Sequence, residues 1–132
     1  MAVFTELELA YLRAQPLGRL ATVRPDGTVQ NNPVTFIVND RLQTLDIGGH
    51  DMATSLKFRS VAAGSTRVSI VVDDITLEPW SVRCIEIRGT AEALIEATDA
   101  AGEPNGPIIR IHPTRVLSYN VDPEAGVRRV AG

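Results

Sequence analysis

The segment best suited to binding chemistry runs from Ile47 to Arg59, with the sequence IGGHDMATSLKFR. Gly48 and Gly49 allow the backbone to approach a ligand closely, because glycine carries no side chain. Hydroxyl groups and Lys57 follow where the pattern predicts the start of a helix, and helix starts attract anions. The segment therefore suits a phosphate group. A strand-to-helix turn with a solvated cationic face explains the same residues, and two glycines are not a dinucleotide-binding fingerprint.

Two other segments have residues that can meet a ligand. Between Gln30 and Thr35, a proline and two amides interrupt a strand pattern and leave backbone groups free to bond something other than a strand. An edge strand or a bulge is the alternative there. Between Glu78 and Arg83, the single tryptophan, Trp80, either stacks on a planar ligand or covers one end of a barrel.

The remaining reactive side chains predict neither a metal site nor a nucleophile. His50 and His112 are isolated from each other, and Asp46, His50 and Asp51 lack the spacing of a ligand set. Cys84 alternates with apolar residues and is expected to be a buried or interface side chain on a strand. The sequence therefore predicts a binding site and identifies no catalytic acid or base.

Two short helices are predicted to accompany these segments. Thr5 followed by Glu8 is a capping-box pattern, and apolar residues then recur at helical spacing. Asp51 is expected to cap a second helix that runs to about Ala63, where Gly64 supplies a stop.

The rest of the chain predicts about seven short strands. They cover Gly18–Arg24, Thr28–Val38, Leu42–Gly48, Arg67–Asp73, Ile85–Ile95, Ile108–Ile111 and Val116–Val121. The clearest period-2 alternation is the fifth, which has one apolar and one polar face. Asp73 and Asp74 are interpreted as a polar strand end, and His112 with Pro113 as a turn. Because strands and helices do not alternate regularly, a mainly β barrel is favoured over a doubly wound sheet.

Length and composition limit the remaining possibilities. The 132 residues suit one domain, and 44% apolar with 22% charged residues is typical of a globular protein. A net charge of −3 argues against a general nucleic-acid binder. One cysteine excludes an intrachain disulfide, and the chain lacks the apolar run of about 20 residues that a membrane helix needs. With no signal-like start, the expected location is the cytoplasm.

In the order and spacing of its motifs, the chain resembles the pyridoxamine-5′-phosphate-oxidase-like superfamily, in particular its branch that uses the deazaflavin coenzyme F420. The resemblance extends from Leu17 to about Tyr119. Its motifs are GRLATVRPDG at 18–27, DIGG at 46–49, KFR at 57–59, VDD at 72–74, EIRG at 86–89 with AE at 91–92, and IHP at 111–113.

The resemblance implies a split β-barrel over residues 1–132 that forms a homodimer, with one cofactor per subunit at the interface. Carried over by position, the implied cofactor-binding residues fall into three groups. Pro33, Val34 and Thr35 would flank the ring system; Ile47, Gly48 and Gly49 would lie along the cofactor; Ser55, Lys57 and Arg59 would face its phosphate. Trp80 and Arg83 would reach the pocket from the partner chain.

The function implied is that of an oxidoreductase in which reduced F420 transfers hydride to an electrophilic small molecule such as an enone, a quinone or a tetrapyrrole. Two alternatives remain open, namely a conventional flavoprotein that binds FMN and a protein that binds the cofactor without turnover. Many relatives have arginine immediately before the phosphate lysine, whereas this chain has Leu56.

Overall fold

The computed structural model describes residues 2–130, and about half of them form antiparallel strands. The strands are β1 (Gly18–Val23), β2 (Val29–Asn39), β3 (Thr44–Gly48), β4 (Arg67–Leu77), β5 (Trp80–Leu94), β6 (Ile108–Tyr119) and β7 (Val127–Arg129). The helices are α1 (Glu6–Ala14) and α2 (Leu56–Ala62), with a single 3₁₀ turn at Met52–Thr54. The predicted mainly β class is confirmed.

The strands close into a split barrel. Their order is β3-β2-β1-β4-β5-β6-β7, and β3 also pairs with β6, so six strands form the barrel and β7 extends β6 outside it. Branched aliphatic side chains such as Ile70 and Ile87 fill the interior, as the alternating patterns require. Leu12 of α1 and Phe58 of α2 complete the same core.

The barrel is split because four strands change or lose partners along their length. Residues 29–34 of β2 pair with β1, whereas residues 35–39 pair with β3. Residues 109–111 of β6 pair with β3, whereas residues 115–117 pair with β7. Strands β1 and β4 pair over only three residues each, at 19–21 and 69–71. Backbone groups are therefore left free beside β2, and a gap opens between β1 and β4.

The predicted turn at His112 and Pro113 is wrong, since both residues lie inside β6. They lie at a β-bulge, where Pro113 is opposite Gly89 and the register with β5 shifts. A Cβ atom at position 89 would overlap the carbonyl oxygen of His112, so the two strands need glycine there. Proline has no backbone N–H group to donate to a neighbouring strand, but it can be accommodated at a β-bulge without ending the strand.

The predicted cap of the second helix is also wrong. Asp51 has a left-handed backbone conformation and makes no capping hydrogen bond; its carboxylate pairs with His50 at the surface. The chain makes the 3₁₀ turn first, and Ser55 then caps α2 by accepting the N–H of Phe58 at 3.2 Å. The stop at Gly64 is confirmed by its positive φ of 108° just after the helix.

At the other end of the chain, β7 was not predicted, and it fastens the barrel to α1. The capping box of Thr5 and Glu8 is confirmed, and it leaves the Glu8 side chain fully buried. Arg128 of β7 donates to both carboxylate oxygens of Glu8, and also to the carbonyl of Val3 at 2.7 Å. This pair satisfies the one charge that α1 takes into the interior.

The long hairpin of β4 and β5 extends beyond the predicted strands. Strand β4 continues to Leu77, so Asp73 and Asp74 lie within it and do not mark its end.

Within residues 2–130, none of the helices has the length and apolar character that a membrane crossing requires.

Candidate functional site

The structure brings the two predicted backbone segments together where β2 changes partner. Thr35 is opposite Gly48 in the β2–β3 pairing, and its hydroxyl group lies 3.5 Å from the carbonyl oxygen of Gly48. Pro33, two residues earlier, still pairs with Arg19 of β1. On the side away from β1, residues 29–34 pair with no strand in the described part of the chain, so their backbone is available to a ligand.

Gly48 and Gly49 leave open space at the end of β3. A Cβ atom built on Gly48 would meet nothing within 4 Å, and one built on Gly49 would only touch the methyl group of Met52 at 4.0 Å. A flat group can therefore lie against this backbone without steric conflict. By contrast, the side chains of Ile47 and Val34 belong to the barrel core. Their contribution to a ligand would come from the backbone.

The predicted phosphate ligands have different environments. The Ser55 hydroxyl donates to the carbonyl of Met52 at 2.7 Å while it accepts from Phe58, so its proton is already used inside the chain. Lys57 is half-buried, Arg59 is exposed, and neither forms an ion pair within the described residues. The two cations are therefore free to meet an anion, whereas Ser55 would first have to give up a hydrogen bond.

Trp80 and Arg83 point to opposite faces of β5, since residues an odd number of positions apart alternate across a strand. Trp80 is 68% exposed on the outer face, directly opposite Leu77 of β4. Arg83 turns toward α1 and forms an ion pair with Asp74, donating from Nη2 to Oδ2 at 2.6 Å. Within one protomer, the two side chains therefore cannot contact the same face of one planar ligand.

Tyr11 of α1 holds this ion pair in place. Its hydroxyl donates to Asp74 Oδ1 at 2.9 Å, and the Arg83 guanidinium lies 4.8 Å from the centre of its ring. Burial, reinforced by the adjacent carboxylate of Asp74, raises the pKa of Tyr11 well above its usual range. The pKa of Asp74 is lowered by its hydrogen bonds from Arg83. The cluster is therefore a fixed charged support beneath the hairpin.

A buried ion pair beneath the loop at 95–107 was missed by the sequence analysis. Arg110 of β6 donates to both carboxylate oxygens of Asp46 on β3, at 2.9 and 3.0 Å. The same carboxylate accepts from Asn39, Thr44 and Asn105, and Arg110 also donates to the carbonyl of Thr98. Because this network ties the loop to β3, the strand that ends at Gly48 is held firmly.

Within residues 2–130, no three His, Cys, Asp or Glu side chains converge in a group that could hold a metal ion.

A cavity of about 810 Å³ lies under the 95–107 loop, lined by residues such as Leu94 and Pro104. None of the sequence-predicted cofactor residues lines it. Of the predicted segments, the structure brings together those of β2 and β3, where Thr35 is opposite Gly48.

The fold defines a split-barrel protein in which β2 changes partner from β1 to β3. The family model of pyridoxamine 5′-phosphate oxidase matches residues 4–119. The chain therefore belongs to the pyridoxamine 5′-phosphate oxidase family, which confirms the resemblance found in its motifs.

Individual relatives give a more detailed comparison. The chain is 42% identical over 125 residues to a 5a,11a-dehydrotetracycline/5a,11a-dehydrooxytetracycline reductase of Streptomyces rimosus, covering 90% of this chain and 84% of the relative. A solved structure named F420 Reductase is 26% identical with a TM-score of 0.58, over 81% of this chain and 93% of its own. An FAD binding protein from Mycobacterium smegmatis, 20% identical over 86% and 91% of the two chains with a TM-score of 0.56, shares the fold.

Proposed function

We propose that the chain is a homodimeric F420-dependent reductase whose substrate is a polycyclic enone. The observation that carries the proposal is the 42% identity, over 90% of the chain, with a protein named as a reductase of dehydrotetracyclines. That name specifies a carbon–carbon double bond within a fused-ring polyketide as the group reduced. The similarity to a structure named F420 Reductase supports the choice of cofactor. The cytoplasmic location stays a prediction.

The residues of the β2–β3 junction fit such a cofactor. The free backbone of Pro33 to Thr35 and the open space at Gly48 would support a flat ring system, while Lys57 and Arg59 offer charge to a phosphate. When bound in its reduced form, F420 supplies a hydride to the electrophilic carbon of the double bond, and a proton from water completes the two-electron reduction while the cofactor becomes oxidised.

The work of the protein is then to bind and orient rather than to transfer protons. The rigid β3 strand, held by Asp46 and Arg110, would keep Gly48 in register beneath the ring. Lys57, half-buried on α2, would meet the phosphate with a charge-assisted hydrogen bond. No acid or base of the described residues is assigned a role in proton transfer.

A conventional FMN protein is the second candidate, because FMN shares with F420 a tricyclic ring, a ribityl chain and a phosphate. F420 continues beyond its phosphate into a lactate and glutamate tail, which needs an open exit and nearby cations. Arg59 is exposed and supplies such a cation, whereas the exposed Leu56 stands where many relatives have arginine. These features favour the longer cofactor.

Parallel fluorescence titrations with F420 and FMN test this preference. We expect F420 to bind the more tightly, since its tail adds contacts that FMN cannot make. If FMN bound at least about tenfold more tightly, equivalent to about 1.4 kcal/mol, the FMN protein would become the better proposal.

A homodimer is expected even without cofactor, because the outer face of the β4–β5 hairpin carries an apolar patch. The patch comprises Ile75, Leu77 and Trp80, with Tyr119 of β6 nearby, and all four side chains are at least 49% exposed. Contiguous apolar surface of this kind is typical of an interface. Light scattering at micromolar concentration should report two chains. A monomer that still bound cofactor at full stoichiometry would contradict a site shared between protomers.

A further inference from the structure

An arginine band crosses the outer face of the sheet. Arg88, Arg115 and Arg129 are directly opposite one another on β5, β6 and β7, and Arg67 lies diagonally on β4. Like charges in such positions destabilise a sheet unless an anion compensates them. The chain as a whole carries a net charge of −3, so this positively charged band contrasts with the net negative charge of the protein.

Compensation within the protein is incomplete. Arg88 donates to Glu86 at 2.8 Å, and the Ser69 hydroxyl donates to the same carboxylate at 3.0 Å. Arg67, Arg115 and Arg129 form no ion pair within the described residues. The band therefore retains positive charge that an external anion can neutralise.

A cavity opens beside the band where β1 and β4 part. Their pairing stops at Ala21 and Ser69, so Thr22 and Val23 diverge from β4. The resulting cavity has a volume of about 540 Å³, within the roughly 300–1,000 Å³ of small-molecule sites. Arg67 and Arg88 line it together with apolar side chains that include Val29.

One unsatisfied polar atom indicates the chemistry that this region lacks. The Nε atom of Arg115 in the band is buried without a hydrogen-bond partner in the described residues. Leaving such a group unpaired costs free energy. The group donates a hydrogen bond, so the missing partner is an acceptor.

We propose that this cavity binds a small molecule that carries an oxyanion on an apolar body. The guanidinium groups of Arg67 and Arg88 would pair with the oxyanion, since guanidinium geometry matches carboxylate and phosphate oxygens. The apolar wall would contact the body. None of the residues proposed to hold the cofactor, Pro33 to Thr35, Gly48, Lys57 and Arg59, lines this cavity, so the inference stands independently of the proposed reductase activity.

Titration with matched six-carbon probes tests the site. Binding of hexanoate, hexyl phosphate, 1-hexanol and hexylamine is measured by NMR on the backbone amides of Gly89 and Thr90. We expect at least one of the two anions to bind about tenfold or more tightly than hexanol, the scale of a charge-assisted hydrogen bond. Added salt should weaken that binding. The better anion identifies the ligand as a carboxylate or a phosphate; anions that bind no better than hexanol would overturn the proposal.

Two variants separate a binding role from a structural one. Arg67→Gln should weaken binding of the better anion about tenfold, whereas Arg41→Gln, an exposed arginine in the β2–β3 turn, should leave it unchanged. Both variants should keep the melting temperature of the unchanged protein, because neither arginine forms an ion pair within the described residues. Equal affinities in the two variants would contradict the site.

Discussion

Replacing Arg110 by methionine is expected to lower the free energy of unfolding by about 3–5 kcal/mol, the range for breaking a buried ion pair. Asp46 is 2% exposed and Arg110 11%, so neither charge has water to replace its partner. In the variant, the carboxylate would keep only hydrogen bonds from Asn39, Thr44 and Asn105. Urea unfolding monitored by circular dichroism measures the loss.

Arg88→Met is the matched control for that experiment. Arg88 also pairs with a carboxylate, Glu86, but both residues lie at the surface of β5, where both side chains are at least 31% exposed. Exposed pairs contribute little to stability, so the control should unfold almost like the unchanged protein. Equal losses in Arg110→Met and Arg88→Met would mean that burial does not set the strength of the Asp46 pair.

Replacing Lys57 by alanine is expected to weaken binding of the phosphorylated cofactor by roughly 10- to 100-fold, corresponding to about 1.5–3 kcal/mol for a hydrogen bond to a charged group. Lys57 forms no ion pair within the described residues, so its loss removes a cation without stranding a carboxylate. The fold should therefore survive. Fluorescence titration gives the dissociation constant, and the thermal midpoint checks the fold.

Two further variants make the Lys57 result specific. Lys57→Arg preserves the charge and should recover most of the affinity, whereas Arg41→Ala removes a cation elsewhere on the surface and should have no effect. An unchanged dissociation constant for Lys57→Ala would assign the residue to a solvated face of α2.

The sequence predicted those parts of the fold that depend on local patterns. The alternation from Ile85 to Ile95 gave the core face of β5, because a period of two fixes which side chains point inward. The capping box at Thr5 and Glu8 gave the start of α1, since both of its hydrogen bonds lie within four residues. The family resemblance implied that the segments of Thr35 and Gly48 contact one cofactor, and the structure pairs the two residues across β2 and β3.

Contacts between segments that are distant in the sequence could not be predicted from local patterns. Asp46 and Arg110 are 64 positions apart, and their pairing depends on the register of β3 against β6. Pro113 suggested a turn because its missing N–H usually ends a strand, but Gly89 across the bulge allows the strand to continue. Asp51 was predicted to cap α2 because aspartate is a preferred N-cap residue. Nothing in the sequence shows that a 3₁₀ turn separates Asp51 from the start of α2.

The proposed activity is reduction of a fused-ring enone by reduced F420. It is tested by turnover with reduced F420 and a panel of fused-ring enones, followed by absorbance of the oxidised deazaflavin and by mass spectrometry of the product. We expect F420 oxidation that requires the enone and a product heavier by two hydrogen atoms, with slower turnover in Lys57→Ala at low cofactor concentration. Enone reduction with reduced FMN but not with reduced F420, or tight F420 binding without turnover of any enone, would contradict it.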